Sequence, residues 1–147
     1  MFSSHRRNNQ ARYAGYLKSN VLWCGEMFGL SQYEINFLNN IAITVPNKKL
    51  RLGLLVEQFI FESLRENKNI ELLKTNLQIV QNKKTLGELD CLLLDTGKPI
   101  HLELVYKFYL YDPSIPGNEI DKWIGPNRND SLKQKIAKLK TKQMPLL

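Results

Sequence analysis

A chain of 147 residues with 43% hydrophobic content is long enough to bury one real core and too short for two full domains. Lysine and arginine number 21 against 14 acidic residues, and the net charge of +7 suits a polyanionic partner better than an acidic or neutral one. Cys24 and Cys91 show no Cys-x-x-Cys spacing and His5 and His101 no paired-ligand spacing, so no disulfide framework is indicated and a zinc site is disfavoured. No stretch approaches the length of a membrane span, and "NNQARYAGYLKSN" stands where a signal peptide would be apolar, so a soluble cytoplasmic protein is expected.

In chain order, residues 1–49 read as an N-terminal helical part. Tyr13, Tyr16, Leu17, Val21, Leu22, Trp23, Phe28, Tyr33 and Phe37 are its expected packing residues, and aromatics here read as core before they read as a base-stacking platform. Gly25 and Gly29 predict a break between two helices, Ser31 serving as the second N-cap. "TVPNKK", residues 44–49, reads as a connection.

"LRLGLLVEQFIFESLRE", residues 50–66, is a firmer helix, with Leu52, Leu55, Val56, Phe59 and Ser63 on one stripe. Glu57 borders that stripe with no charged neighbour at helical spacing, which also suits a solvated edge. Three strands follow. In residues 70–80, Leu73, Thr75, Leu77 and Ile79 alternate with polar residues. Residues 86–94 and 100–110 complete the set, joined through a Thr96-Gly97 turn. "DSLKQKIAKLK" closes the chain as a helix capped by Asp130 or Ser131, with Leu132, Ile136 and Leu139 inward.

The hairpin register carries the functional expectation. A turn centred on Thr96-Gly97 sets Asp90 opposite Glu103, Glu88 opposite Val105 and Leu86 opposite Lys107, with the four charged side chains on one face. Leu89, Cys91, Leu93, Leu102, Leu104, Tyr106 and Phe108 fill the other. Paired carboxylates with beta carbons about 4.5 to 5.5 Å apart repel, unless something positive lies between them. Oxygen ligands at that separation suit Mg²⁺ or Mn²⁺, and the matching chemistry is phosphodiester cleavage, with Lys107 offsetting charge on the phosphate. A solvated sheet face balanced by Lys107 is the competing reading. Lys133, Lys135 and Lys138 lie in a lysine run on the last helix, available either to nucleic-acid phosphates or to water.

"RLGLLVEQFIFESL", "GELDCLLL", "HLELVYKFYL" and "WIGPNRNDSLKQKIAKL" resemble a bacterial family of uncharacterised proteins, domain of unknown function 1853, placed in the PD-(D/E)XK nuclease-like superfamily. The resemblance implies an α/β (α+β mixed) fold: a restriction-endonuclease-like αβββα core over residues 50–147, its mixed sheet flanked by helices, cleaving DNA or RNA with Mg²⁺. By position, Glu57 takes the helix acid, Asp90 and Glu103 the metal ligands, and Lys107 the lysine. The superfamily separates Glu and Lys by one residue, whereas Glu103 and Lys107 are separated by three. Either Lys107 acts from further away, or Glu88 supplies the nearer carboxylate, or a bulge closes the gap. The resemblance also implies a further strand after the last helix, so the chain reads as shortened. The rival function is a catalytically silent module of the same fold that binds nucleic acid or protein.

Overall fold

The computed structural model describes residues 2–35 and 50–146, with side chains from residue 8 onward. The elements run α1 (Phe2–Leu17), β1 (Glu26–Met27), β2 (Leu30–Ser31), α2 (Leu52–Glu66), β3 (Ile70–Gln81), β4 (Lys84–Asp95), β5 (Lys98–Leu102), β6 (Leu110–Tyr111), β7 (Trp123–Ile124) and α3 (Leu132–Lys138). This is an α+β fold. Helix, three strands and helix follow in the expected order, but the sheet β3-β4-β5 is antiparallel throughout rather than mixed.

Three hairpins turn on two residues each: Phe28-Gly29, Asn82-Lys83 and Thr96-Gly97, with φ of 54° and 76°, 50° and 63°, and 49° and 80°. Positive φ at both central residues is the turn whose twist matches that of paired strands. The first of these replaces the expected second helix: Gly25 and Gly29 both take left-handed backbone, and Ser31 pairs with Glu26 instead of capping a helix. Val21 and Phe28, expected in the core, are exposed. Phe37 and the 44–49 connection lie outside the described residues.

The 70–80 alternation holds from Thr75 onward but slips at its start, because a bulge between Leu72 and Lys74 turns Leu73 outward and Leu72 in. The expected β4–β5 register is present, from Asp95–Lys98 to Cys91–Leu102. It stops there: residues 103–109 leave the ladder, so the third strand is half its expected length, and Glu88 with Val105 and Leu86 with Lys107 are not paired.

Two cores form among the described residues. One joins α1 and α2 to the sheet through Tyr13, Val56, Phe59, Leu64, Cys91 and Leu93. Of the expected α2 stripe only Leu52, at the first turn, is exposed. Tyr13 is fully buried, stands edge-on to Phe59 at 5.5 Å, and bonds Ser63 Oγ at 3.0 Å. Ser63 gives its own proton to Phe59 O, so the Tyr13 hydroxyl is the donor. The second core packs Leu132, Ile136 and Leu139 against Leu30, Trp23, Val105 and Tyr109. Ser131, not Asp130, caps α3, its Oγ accepting from Gln134 N at 3.3 Å in a capping box. Beyond α3 the chain reaches β4 so closely that a Cβ at Gly87 would stand 2.7 Å from Leu146 Cδ1.

Candidate functional site

The site forms where the β4–β5 ladder ends. Past Leu102, side chains take over the bonds that backbone would have made. Asp90 Oδ2 accepts the Leu104 amide at 2.8 Å, and Glu103 Oε1 accepts the Asp90 amide at 3.4 Å. This reciprocal exchange holds the two carboxylates beside each other, as the register predicts for the pair Asp90–Glu103.

Their repulsion is met by protein donors. Glu103 has a side chain only 1% exposed; His101 Nε2 lies 2.8 Å from its Oε1, and Gln143 Nε2 donates to its Oε2 at 2.5 Å. Burial pushes the Glu103 carboxyl above its ordinary range; the His101 bond pulls it down and the charge of Asp90 raises it again. Gln143 Oε1 in turn accepts from Lys135 Nζ at 3.2 Å, so one amide bridges the lysine and the carboxylate.

Residues 104–107 run between the two cores, Leu104 and Tyr106 facing α2 while Val105 faces α3. Along them opens a cavity of about 390 Å³ lined by Glu57, Leu104, Val105, Lys107 and Lys135 among others. Glu57 has a partner that its own helix does not supply, since Asn76 Nδ2 donates to its Oε1 at 2.8 Å from β3. Burial nevertheless raises the Glu57 carboxyl, with the Asn76 bond opposing and the charges of Asp90 and Glu88 adding to it.

The sequence-derived candidates therefore divide. Glu57, Lys107 and Lys135 share one cleft, and Asp90 and Glu103 meet beside it, where the 104–107 segment that lines it begins. Glu88 has no partner on the third strand: it is exposed and paired with Gln78 of β3, because β5 ends before reaching it, and only its charge reaches Glu57. Lys107 is bonded to Asp130, and Lys133 to Asp121 at 2.6 Å. Lys138 is exposed as expected. Lys135 departs from the outward, phosphate-facing position given to it: it is half-buried, and burial lowers its ammonium pKa, with the charges of Lys138 and Lys107 acting in the same sense and those of Asp90 and Glu103 opposing.

His101, Gln143 and the inward position of Lys135 were not read from the sequence. His101 carried a signal, two positions before Glu103 on the same strand face. Lys135 carried one too, completing the i, i+3, i+4, i+7 stripe with Leu132, Ile136 and Leu139. Gln143 carried none, being delivered by the irregular turn after α3.

Among the described residues no group of three His, Cys, Asp or Glu side chains could hold a metal ion. The donors fit Mg²⁺ or Mn²⁺ all the same. Such ions commonly take one or two protein carboxylates and keep several waters, and Asp90 and Glu103 are a two-carboxylate set of hard oxygens. No helix among the described residues is long and apolar enough to cross a membrane. No curated protein and no solved structure matches the chain. Residues 30–147 match the model of the family described as Domain of unknown function (DUF1853), and with most of its length covered the chain belongs to that family.

Proposed function

We propose that the domain is a PD-(D/E)XK-like phosphodiesterase that hydrolyses DNA or RNA with Mg²⁺ or Mn²⁺. The observation that carries this reading is the meeting of two carboxylates, Asp90 and Glu103, at the end of the β4–β5 ladder, directly before the 104–107 segment that lines a cleft with Glu57, Lys107 and Lys135. Asp90 and Glu103 would hold the metal. Bound there, it supplies Lewis-acid polarisation of the phosphoryl oxygen and a water of lowered pKa. In the hydrolysis a water oxygen bonds to phosphorus, the bond to the ester oxygen breaks, and a water proton ends on the leaving oxygen. Glu57, whose carboxyl burial raises above its ordinary range, would take the proton of the attacking water. The basic side chains oppose the charge that builds on the phosphate.

Calorimetric titration with Mn²⁺ tests the reading. Wild-type protein is expected to bind, and Asp90→Asn and Glu103→Gln to abolish binding while the far-ultraviolet spectrum is kept. Cleavage of labelled DNA and RNA should be lost in parallel. A wild type that binds no metal removes the hydrolytic reading. A second reading, a catalytically silent module binding nucleic acid or protein, is favoured by one observation: both Glu103 oxygens already have donors, which a metal would have to displace.

A further inference from the structure

We propose that Lys135, rather than Lys107, is the cation that meets the scissile phosphate, and that Gln143 positions it. The assignment rests on the phosphodiesterase reading and names the residue that serves it. Four observations bring it out.

Lys135 occupies an inward position of α3. It stands in the stripe with Leu132, Ile136 and Leu139, all buried, where an apolar residue would be the ordinary choice. A lysine held there loses hydration, and a site that supplies an anion restores the loss. The side chain also lines the cleft together with Glu57 and Lys107.

The neighbouring ammonium groups are engaged. Lys107 is bonded to the Asp130 carboxylate and Lys133 to that of Asp121. Lys135 is bonded to a neutral amide oxygen instead, and among the described residues it makes no ion pair. A phosphate entering the cleft would have to compete with a carboxylate for Lys107 and only with an amide for Lys135.

The amide sets the geometry. Gln143 donates to Glu103 with its nitrogen, which leaves its oxygen as the group that accepts from Lys135. The lysine is thereby tethered on the side of the carboxylate pair, where charge on a reacting phosphate would develop. A donor held in place before the reaction is worth far more than one that must be ordered during it.

The test uses the full chain and a fluorescein-labelled DNA duplex, comparing Lys135→Met, Lys135→Gln, Lys135→Arg and Lys107→Met, each checked for fold by circular dichroism. Lys135→Gln keeps a hydrogen-bonding head and stands in if Lys135→Met loses its fold. Lys135→Met is expected to lower kcat by about 10²- to 10³-fold, the scale of losing one preorganised donor. Mn²⁺ affinity should be unchanged or tighter, Lys135→Arg should recover much of the rate, and Lys107→Met should lose less. Gln143→Leu should reduce kcat and leave KM close to wild type, as fits a positioning residue. In binding assays Lys135→Met should reduce the log-log salt slope by about 0.9, one phosphate contact. Lys135 variants that cleave and bind like wild type, with Lys107→Met inactive, overturn the assignment and leave the phosphodiesterase reading standing. A wild type that binds the duplex through Lys135 and never cleaves it retains the phosphate contact and defeats the hydrolytic reading. A wild type that neither binds nor cleaves defeats both.

Discussion

Cys91 and Cys24 meet opposite surroundings. Cys91 is fully buried against α2, and burial, with the charge of Asp90 next to it, pushes its thiol up to about 11, while Arg65 pulls the other way. Cys24 is exposed. Thiolate is the reactive form, so at pH 8 a folded sample should release one equivalent of thionitrobenzoate rapidly from Ellman's reagent and the second only in denaturant. Two equivalents released together from folded protein would place Cys91 in reach of solvent. The same few ångströms explain how two acids share the end of a ladder: each carboxylate accepts a backbone amide from the other's strand. Charge-assisted bonds of this kind offset part of the repulsion that a facing pair would otherwise suffer.

At the scale of elements, the turns decide what the strands can do. Thr96 sits at φ 49°, a conformation that a β-branched side chain adopts with strain of order 1 kcal/mol or more. Thr96→Asn puts the preferred residue there and keeps the amide that donates to Asn69 O, so it should stabilise the domain by about 1 kcal/mol in urea unfolding. A fall in stability would show that the Thr96 hydroxyl bond to Asp95 outweighs the backbone strain. The register of this hairpin was legible because Thr96-Gly97 lies between two apolar runs, and so the Asp90–Glu103 meeting was legible with it. The early end of β5 was not, since carboxylates replacing backbone partners leave no mark on alternation. Nor was the bulge at Leu73, where two leucines in succession offer either phase. Gly25 and Gly29 were read as a break between two helices, and glycine spacing alone does not separate such a break from the hairpin that is present. Glu57 read as isolated because its partner, Asn76, arrives from another element.

For the molecule as a whole, the excess of +7 is not spread evenly. Acids at Asp112, Asp121 and Asp130 hold Arg128, Lys133 and Lys107, so three basic side chains are engaged on the surface around α3. Lys138 is exposed with no ion pair among the described residues. Neutralising Lys138 should therefore lower the salt slope of duplex binding by about 0.9, while Lys133→Gln lowers it by less. Equal slopes for wild type and both variants would mark the lysine run as a hydrated surface. The tight turns have one more effect, on the order of assembly. The three sheet strands are joined by two-residue turns, so their pairing closes short loops and can nucleate early. Tyr13 and Ser63 are 50 positions apart, and Gln143 and Glu103 are 40 apart. Loop-closure entropy therefore predicts that those contacts form after the hairpins and that the cleft is completed late, with the segment that carries Gln143 and lays Leu146 over Gly87 as its latch. Opening it locally would disconnect Lys135 from Glu103 while every strand of the sheet stayed paired.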